Sequence, residues 1–189
     1  DCCLFDLEEC DSDMVNTNSS DCMAIGDRSH KKTTKAFELI NRAIAINYDR
    51  GYCNLATYYE KGIIVGFAGG KILDFDYKGN IIFSSVPGGS KYSVILGVAS
   101  SEDGLLSACV SGIDSQRFVL MKTAGGQTKT VFHEYLDGNL REQTYVKFSK
   151  DNSKVFYNEK NGLGVVDVGN LKSYHIPLLG KILSIEEME

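Results

Sequence analysis

The chain has 189 residues, 43% of them hydrophobic and 24% charged, with a net charge of −5. That length fits one domain, or one domain with an appendage, and a core that needs no disulfide or metal staple. The acidic balance argues against a nucleic-acid surface, which needs clustered Lys and Arg, and no apolar run reaches the roughly 18 residues of a membrane-crossing helix.

The chain opens at Asp1 with no Met and no signal peptide, which reads either as a processed protein or as a trimmed chain that lacks its N-terminal targeting segment. Cys2, Cys3, Cys10 and Cys22 crowd its start. They fit free or buried thiols, or disulfides in an oxidising compartment. Zinc is a weaker fit, because the paired C-x2-4-C spacing is missing. The cysteine enrichment and the missing Met lean towards an extracytoplasmic bacterial setting, periplasmic or secreted. The basic cluster Arg28, His30, Lys31, Lys32 and Lys35 reads as a solvated loop.

Residues 34–59 admit two readings. Phe37, Ile40 and Ile44 share one helical face, and the run through Leu55 and Tyr59 resembles a tetratricopeptide helix pair, which implies a helical-repeat adaptor. Its spacing is short and no second copy follows at that repeat's period. The favoured reading makes residues 36–39 and 42–48 two strands of a faint blade. Residues 1–57 are then a degenerate blade with a Cys-rich start.

From Tyr58 onward one pattern recurs: a β-rich run, a polar turn, then an apolar strand. It appears at Thr57 to Val65, Ala99 to Leu106, and Phe148 to Phe156. Aligning Lys61, Asp103 and Asp151 gives spacings of 42 and 48, and a fainter fourth copy surrounds Asp21. Each unit then continues as strand, Gly-bearing turn, strand: Lys71 to Phe83, Arg117 to Phe132, and Gly164 to Ile176. The Gly and Asn residues supply the positive φ of tight turns. Val, Ile, Phe and Tyr fill the strands. The middle strands are apolar on both faces, as strands packed between neighbouring sheets must be. Four-stranded units of about 40–50 residues point to propeller blades.

The turns Ser101-Glu102-Asp103-Gly104 and Ser149-Lys150-Asp151-Asn152 resemble the first turn of blades in WD40-like and related bacterial propeller repeats, over residues 58–189. The chain has no Trp, so the Trp-Asp dipeptide of the eukaryotic pattern is absent. The resemblance implies a β-propeller repeat protein. The expected fold is all-β, a propeller-like stack of four-stranded antiparallel blades. Three blades are clear and a fourth is faint, so the stack is incomplete, a small ring, or completed by oligomerisation. The tail from Lys181 to Glu186 reads as one more strand, which starts another blade or pairs with residues 4–7 to close the ring.

Residues with the right chemistry lack the right company. His30, His133 and His175 are scattered, and His133 and His175 are expected on outer strands. Gly88-Gly89-Ser90 lacks the G-x-S-x-G frame. Gly66 to Lys71 imitates a phosphate loop but is one residue short and lacks the following Ser or Thr. Asp74 and Asp76 share one strand face, where two carboxylates can act as acid and base or hold a cation, yet solvated strand residues explain them. Glu102, Asp103, Asp151 and Asn152 read as solvated turn residues. Tyr48, Tyr52, Tyr58 and Tyr59 read as strand packing rather than a binding surface, and Cys109, within an apolar run, as a buried thiol. No catalytic, cofactor-binding or metal residue is assigned, and no cofactor is expected.

The leading expectation is a non-catalytic binding or scaffold module that meets a protein partner or a second copy of itself, as in a homodimer, with no nucleic acid and no membrane span. The alternatives are an enzyme or substrate-binding propeller with a pocket in a central channel, and the helical-repeat adaptor.

Overall fold

The computed structural model describes residues 3–4, 38–43, 45, 53–87, 94–113, 115–136, 144–178 and 182. Three antiparallel sheets follow one another along the chain. Blade 1 comprises β2 (Cys53–Tyr59), β3 (Gly62–Phe67), β4 (Ile72–Asp76) and β5 (Ile81–Ser85), with β1 (Cys3–Leu4) added to β2 in parallel. Blade 2 comprises β6 (Ile95–Ser100), β7 (Leu106–Ser111), β8 (Arg117–Ala124) and β9 (Gln127–Tyr135). Blade 3 comprises β10 (Val146–Phe148), β11 (Lys154–Glu159), β12 (Gly162–Asp167) and β13 (Lys172–Pro177). In each blade the strands pair in chain order, so every connection within it is a hairpin.

The blades pack face to face. Leu55, Ile64, Ile72 and Phe83 of blade 1 meet Ile95, Val98, Cys109, Val119 and Met121 of blade 2. On its other side blade 2 places Ala108, Val110, Phe118 and Leu120 against Phe148, Val155, Tyr157 and Val166 of blade 3. The Phe118 and Tyr157 rings stack at 4.1 Å between centroids, 18° from parallel. Each such buried side chain contributes about 1.5–3 kcal/mol, and the stack adds about 0.5–1.5 kcal/mol.

The first strands of successive blades run side by side, β2 against β6 and β6 against β10. Hydrogen bonds cross both seams: Thr57 Oγ1 donates to the Val98 carbonyl at 3.0 Å, and Thr144 N–H to the Leu96 carbonyl at 2.8 Å. Glycines permit this approach. A Cβ on Gly66 would lie 2.5 Å from Ile95 Cγ2, and one on Gly97 would lie 2.3 Å from Thr144 Oγ1.

The segment upstream of blade 1 corrects one expectation. Residues 38–43 and 45 are helical, so the described part of the expected strands 36–39 and 42–48 is helix rather than strand. Leu39, Ile40 and Ala43 of this helix are buried against Ala56, Ile63, Val65, Phe67, Leu73 and Phe75, the face of blade 1 that points away from blade 2. The Arg42 guanidinium donates to the Gly79 carbonyl and ties the helix to the β4–β5 turn. Blade 1 also starts upstream of position 58, because β2 begins at Cys53. Leu4 pairs with Ala56 of β2. Ile182 lies in no strand, and the rest of the tail from 181 to 186 falls outside the described residues. So do the faint copy around Asp21, the basic cluster at 28–35, and Cys2, Cys10 and Cys22.

The close seams yield a test. Gly97→Ala is expected to cost about 1–3 kcal/mol in urea unfolding, the usual penalty of overpacking. Gly169→Ala, with only Asp167 Oδ1 near its new methyl at 3.4 Å, is expected to stay within about 0.5 kcal/mol of the parent.

Candidate functional site

Three places gather polar or exposed side chains: the rim of first turns, the seam between blades 1 and 2, and the outward side of blade 3. On the rim, blades 2 and 3 repeat one hydrogen-bond pattern. Ser101 Oγ donates to Asp103 Oδ1 at 2.6 Å, the Leu105 N–H donates to the same oxygen at 3.0 Å, and the Leu106 N–H donates to Ser101 Oγ at 2.9 Å. In blade 3, Ser149 Oγ donates to Asp151 Oδ1 at 2.7 Å, Ser153 N–H to that oxygen at 2.9 Å, and Lys154 N–H to Ser149 Oγ at 2.9 Å. The next position needs a left-handed backbone, which Gly104 (φ 68°) and Asn152 (φ 58°) both supply.

These donors set the charge of the turns. Burial opposes ionisation of Asp103, but the Ser101 hydroxyl, the Leu105 N–H and the Lys61 ammonium hold its carboxyl below the ordinary range. The Ser149 hydroxyl and the Ser153 donors hold the Asp151 carboxyl down at about 2. Both carboxylates are thus committed to their own turns.

The turns also link blade to blade. The Glu60 N–H donates to Glu102 Oε2 at 3.1 Å, Lys61 Nζ donates to the Asp103 carbonyl at 2.8 Å, and the Glu102 N–H donates to Asn152 Oδ1 at 3.3 Å. Blade 1 departs from the repeat. Its first turn holds only Glu60 and Lys61 between β2 and β3, and Tyr59 occupies the strand-end position of Ser101 and Ser149. Lys61 therefore has no structural match in Asp103 or Asp151, contrary to the sequence alignment.

The seam holds a buried acid. Tyr77, Thr123 and Val168 donate the same closing hydrogen bond in their blades, to the carbonyls of Lys61, Leu105 and Ser153. Three residues before them stand Asp74, Leu120 and Val165, so Asp74 occupies a core position that the other blades fill with aliphatic side chains. It is 0% exposed, not solvated as the sequence suggested. Tyr59 Oη donates to Asp74 Oδ1 at 3.0 Å, while Oδ2 has no partner. Burial pushes the carboxyl up to about 7, against the weaker pull of the Tyr59 hydroxyl and the Phe75 N–H. Burial, with the Asp74 charge beside it, also raises the Tyr59 phenol far above its ordinary value.

Asp76 does not join Asp74. It accepts the Asn80 N–H and Nδ2, each at 2.8 Å, in the β4–β5 turn. Slight burial works against its charged form, but the Asn80 donors hold its carboxyl below the ordinary range. The phosphate-loop imitation closes a hairpin instead: Phe67 N–H reaches the Lys71 carbonyl at 2.9 Å and Gly70 N–H the Phe67 carbonyl at 3.0 Å. Cys109 is a buried free cysteine, and burial raises its thiol to about 12. Tyr59 is buried and Tyr58 packs on the first core cluster. Tyr48, Tyr52, Gly88 to Ser90 and His30 lie outside the described residues.

His133 and His175 sit exposed on the outer strands β9 and β13. His175 Nδ1 lies 2.8 Å from Glu159 Oε1, and its Nε2 lies 3.8 Å from Glu134 Oε2. Glu134 also accepts the Tyr157 hydroxyl across the seam between blades 2 and 3. Sequence reasoning missed this group because its members come from β9, β11 and β13, with no local spacing to join them. Among the described residues no group of three or more His, Cys, Asp or Glu is placed to hold a metal ion.

The outward side of blade 3 is apolar, and among the described residues its last strand β13 is largely exposed while Val165 in β12 is buried. Register places Phe156, Val165 and Tyr174 side by side across it, with Leu163 and Ile176 beside them. Tyr174 is 53% exposed and Ile176 46% exposed.

The buried acid makes a pH prediction. The folded protein raises the Asp74 pKa from 3.8 to about 7, so it binds this proton more tightly than the unfolded chain does. The associated stability is fully present below the unfolded value of 3.8 and is lost as pH rises through about 7. The loss amounts to on the order of 4 kcal/mol. Asp74→Asn keeps an acceptor for Tyr59 and removes the titration. Urea midpoints at pH 5 and pH 8 check it: the gap between variant and parent is expected to widen in the variant's favour at the higher pH.

Comparison with known proteins bears on the whole architecture. A family model described as "beta-propeller protein" matches residues 53–189. An uncharacterised protein of Treponema pallidum (strain Nichols) is 38% identical over 124 residues, which are 66% of this chain. The chain spans about a third of that relative's length, 33%. The match begins at Cys53, the first residue of β2, and runs through all three blades. The chain belongs to this β-propeller family.

Proposed function

We propose that the protein is a non-catalytic propeller module that works through contact with a protein, another protein or a second copy of itself, on the outward face of blade 3. One observation carries the reading. That face aligns Phe156, Leu163, Val165, Tyr174 and Ile176 in register; Val165 is buried, Phe156 and Leu163 are partly buried, and Tyr174 and Ile176 are about half exposed. The matching positions of blade 2 are better covered: Phe118 and Leu120 are at 0% and Phe132 is partly buried. An apolar patch of this kind marks an interaction surface.

The groups with catalytic chemistry support the same reading by what already engages them. Asp103 and Asp151 accept hydrogen bonds inside their own turns, Asp74 accepts one from Tyr59, and His175 sits against Glu159. Each is used to hold a turn or a seam.

Cross-linking of the chain in its own cells tests the proposal. The parent is expected to trap a neighbour, or a second copy, that Ile176→Lys does not trap, while His133→Ala traps it normally. Circular dichroism of all three is expected to match. A neighbour held equally by the parent and Ile176→Lys, or lost with His133→Ala, would overturn the reading.

A further inference from the structure

The seam between blades 1 and 2 holds more than one orphan oxygen. Asp74 Oδ2, Ser107 Oγ and Thr123 Oγ1 all lack a hydrogen-bond partner, in residues no more than 7% exposed. We propose that these three oxygens hold one internal water molecule, which joins the third strand of blade 1 to the second and third strands of blade 2.

The first support is placement. On the inner side, Tyr59 Oη bonds Asp74 Oδ1 at 3.0 Å, and Ser100 hydrogen-bonds the same Tyr59 hydroxyl. Ser107 is the cross-strand partner of Ser100. Strand alternation turns both towards blade 1, as it does Val98 and Cys109. On the outer side, Ser85 Oγ lies 3.7 Å from Met121 Sδ, and a Cβ on Gly126 would lie 3.7 Å from the Ile82 carbonyl oxygen. Thr123 stands between these two contacts, opposite the stretch of β5 that holds Phe83, the partner of Asp74 across the sheet. It shares its side of β8 with Val119 and Met121, which pack on blade 1. Asp74 is thus approached by Ser107 from one side and by Thr123 from the other.

The second support is the next seam, where the same three places are apolar. The closing hydrogen bonds equate Asp74 with Leu120 and Thr123 with Val168. The bonds of Leu106 and Lys154 to the serines of their turns equate Ser107 with Val155. Leu120, Val155 and Val168 pack in one cluster. Asp, Ser and Thr are each smaller than the Leu or Val at the matching place, so the seam between blades 1 and 2 gains room together with its orphan oxygens.

The third support is chemistry. Three hydrogen bonds are the usual complement of a buried water. Water donates to a carboxylate and accepts from a carboxyl, so it suits Asp74 in either state. A metal ion needs a richer set, and among the described residues no three His, Cys, Asp or Glu gather to hold one.

Crystal structures at pH 5 and pH 8 test the proposal. Both are expected to show one density peak about 2.6–3.2 Å from each of Asp74 Oδ2, Ser107 Oγ and Thr123 Oγ1. No peak, or Asp74 Oδ2 bonded directly to Ser107 or Thr123, would overturn it. So would a peak found at pH 8 alone with contacts of about 2.4 Å, the mark of a cation on the ionised acid. Urea unfolding supplies a second measurement, with Ser107→Ala, Thr123→Val and the double variant. The unfolding constant of the double variant is expected to depart about twofold or more from the product of the single effects, because both hydroxyls serve one water. Single effects that simply multiply would also overturn the proposal.

Discussion

The burial of a sheet on both of its faces governs this molecule. A single four-stranded blade leaves two apolar sides in water, and no side-chain arrangement within one blade removes that cost. Neighbouring blades supply the cover. Blade 2 shows the finished state: Cys109, Val119 and Met121 face one neighbour, while Ala108, Phe118 and Leu120 face the other. Gly66 of β3 and Gly97 of β6, where neighbouring blades approach closely, and the turns that reach from blade to blade all follow from that packing.

Such a core holds a few neutral hydroxyls without protein partners, those of Ser107, Ser111, Thr123 and Thr144 among them, but larger polar groups need an answer. Tyr157 sends its hydroxyl out of the core to Glu134, and its ring stays stacked on Phe118. Asp74 is the costly exception, with one oxygen bonded to Tyr59 and the other unpartnered. A carboxyl in that setting remains protonated into the neutral range because ionising it would strand a charge between two sheets.

Much of this architecture was legible in the sequence, for local reasons. Ser101, Asp103 and Gly104, and Ser149, Asp151 and Asn152, build their turns from neighbours a few residues away, so the motif shows in the chain. The doubly buried strands also show, because β3 and β8 are apolar without alternation. That same lack of alternation hid Asp74. In a sheet with one wet face Asp74 and Asp76 would mark the wet side, but here both sides are covered and the two acids part company. The shorter first turn of blade 1 spoiled the alignment of Lys61. The helical segment at 38–43 was misread because its apolar pattern admitted a strand as well as a helix, and only the blade beneath settles which form buries Leu39, Ile40 and Ala43. Val165 on the outward face of blade 3 has the sequence context of any core strand, and nothing local marks Tyr174 and Ile176 as half exposed.

The helix that covers blade 1 lies upstream of it in the chain, and this order matters during synthesis. Domains emerge from the ribosome N-terminal end first, far more slowly than helices and hairpins form. The helical segment is therefore already outside when β2 to β5 appear, and the first blade can shield one apolar side at once. Each later blade emerges beside a finished neighbour that offers a template of matching register. The chain order suits vectorial growth: with the helix in place, the open side of blade 1 is the one that blade 2 then covers.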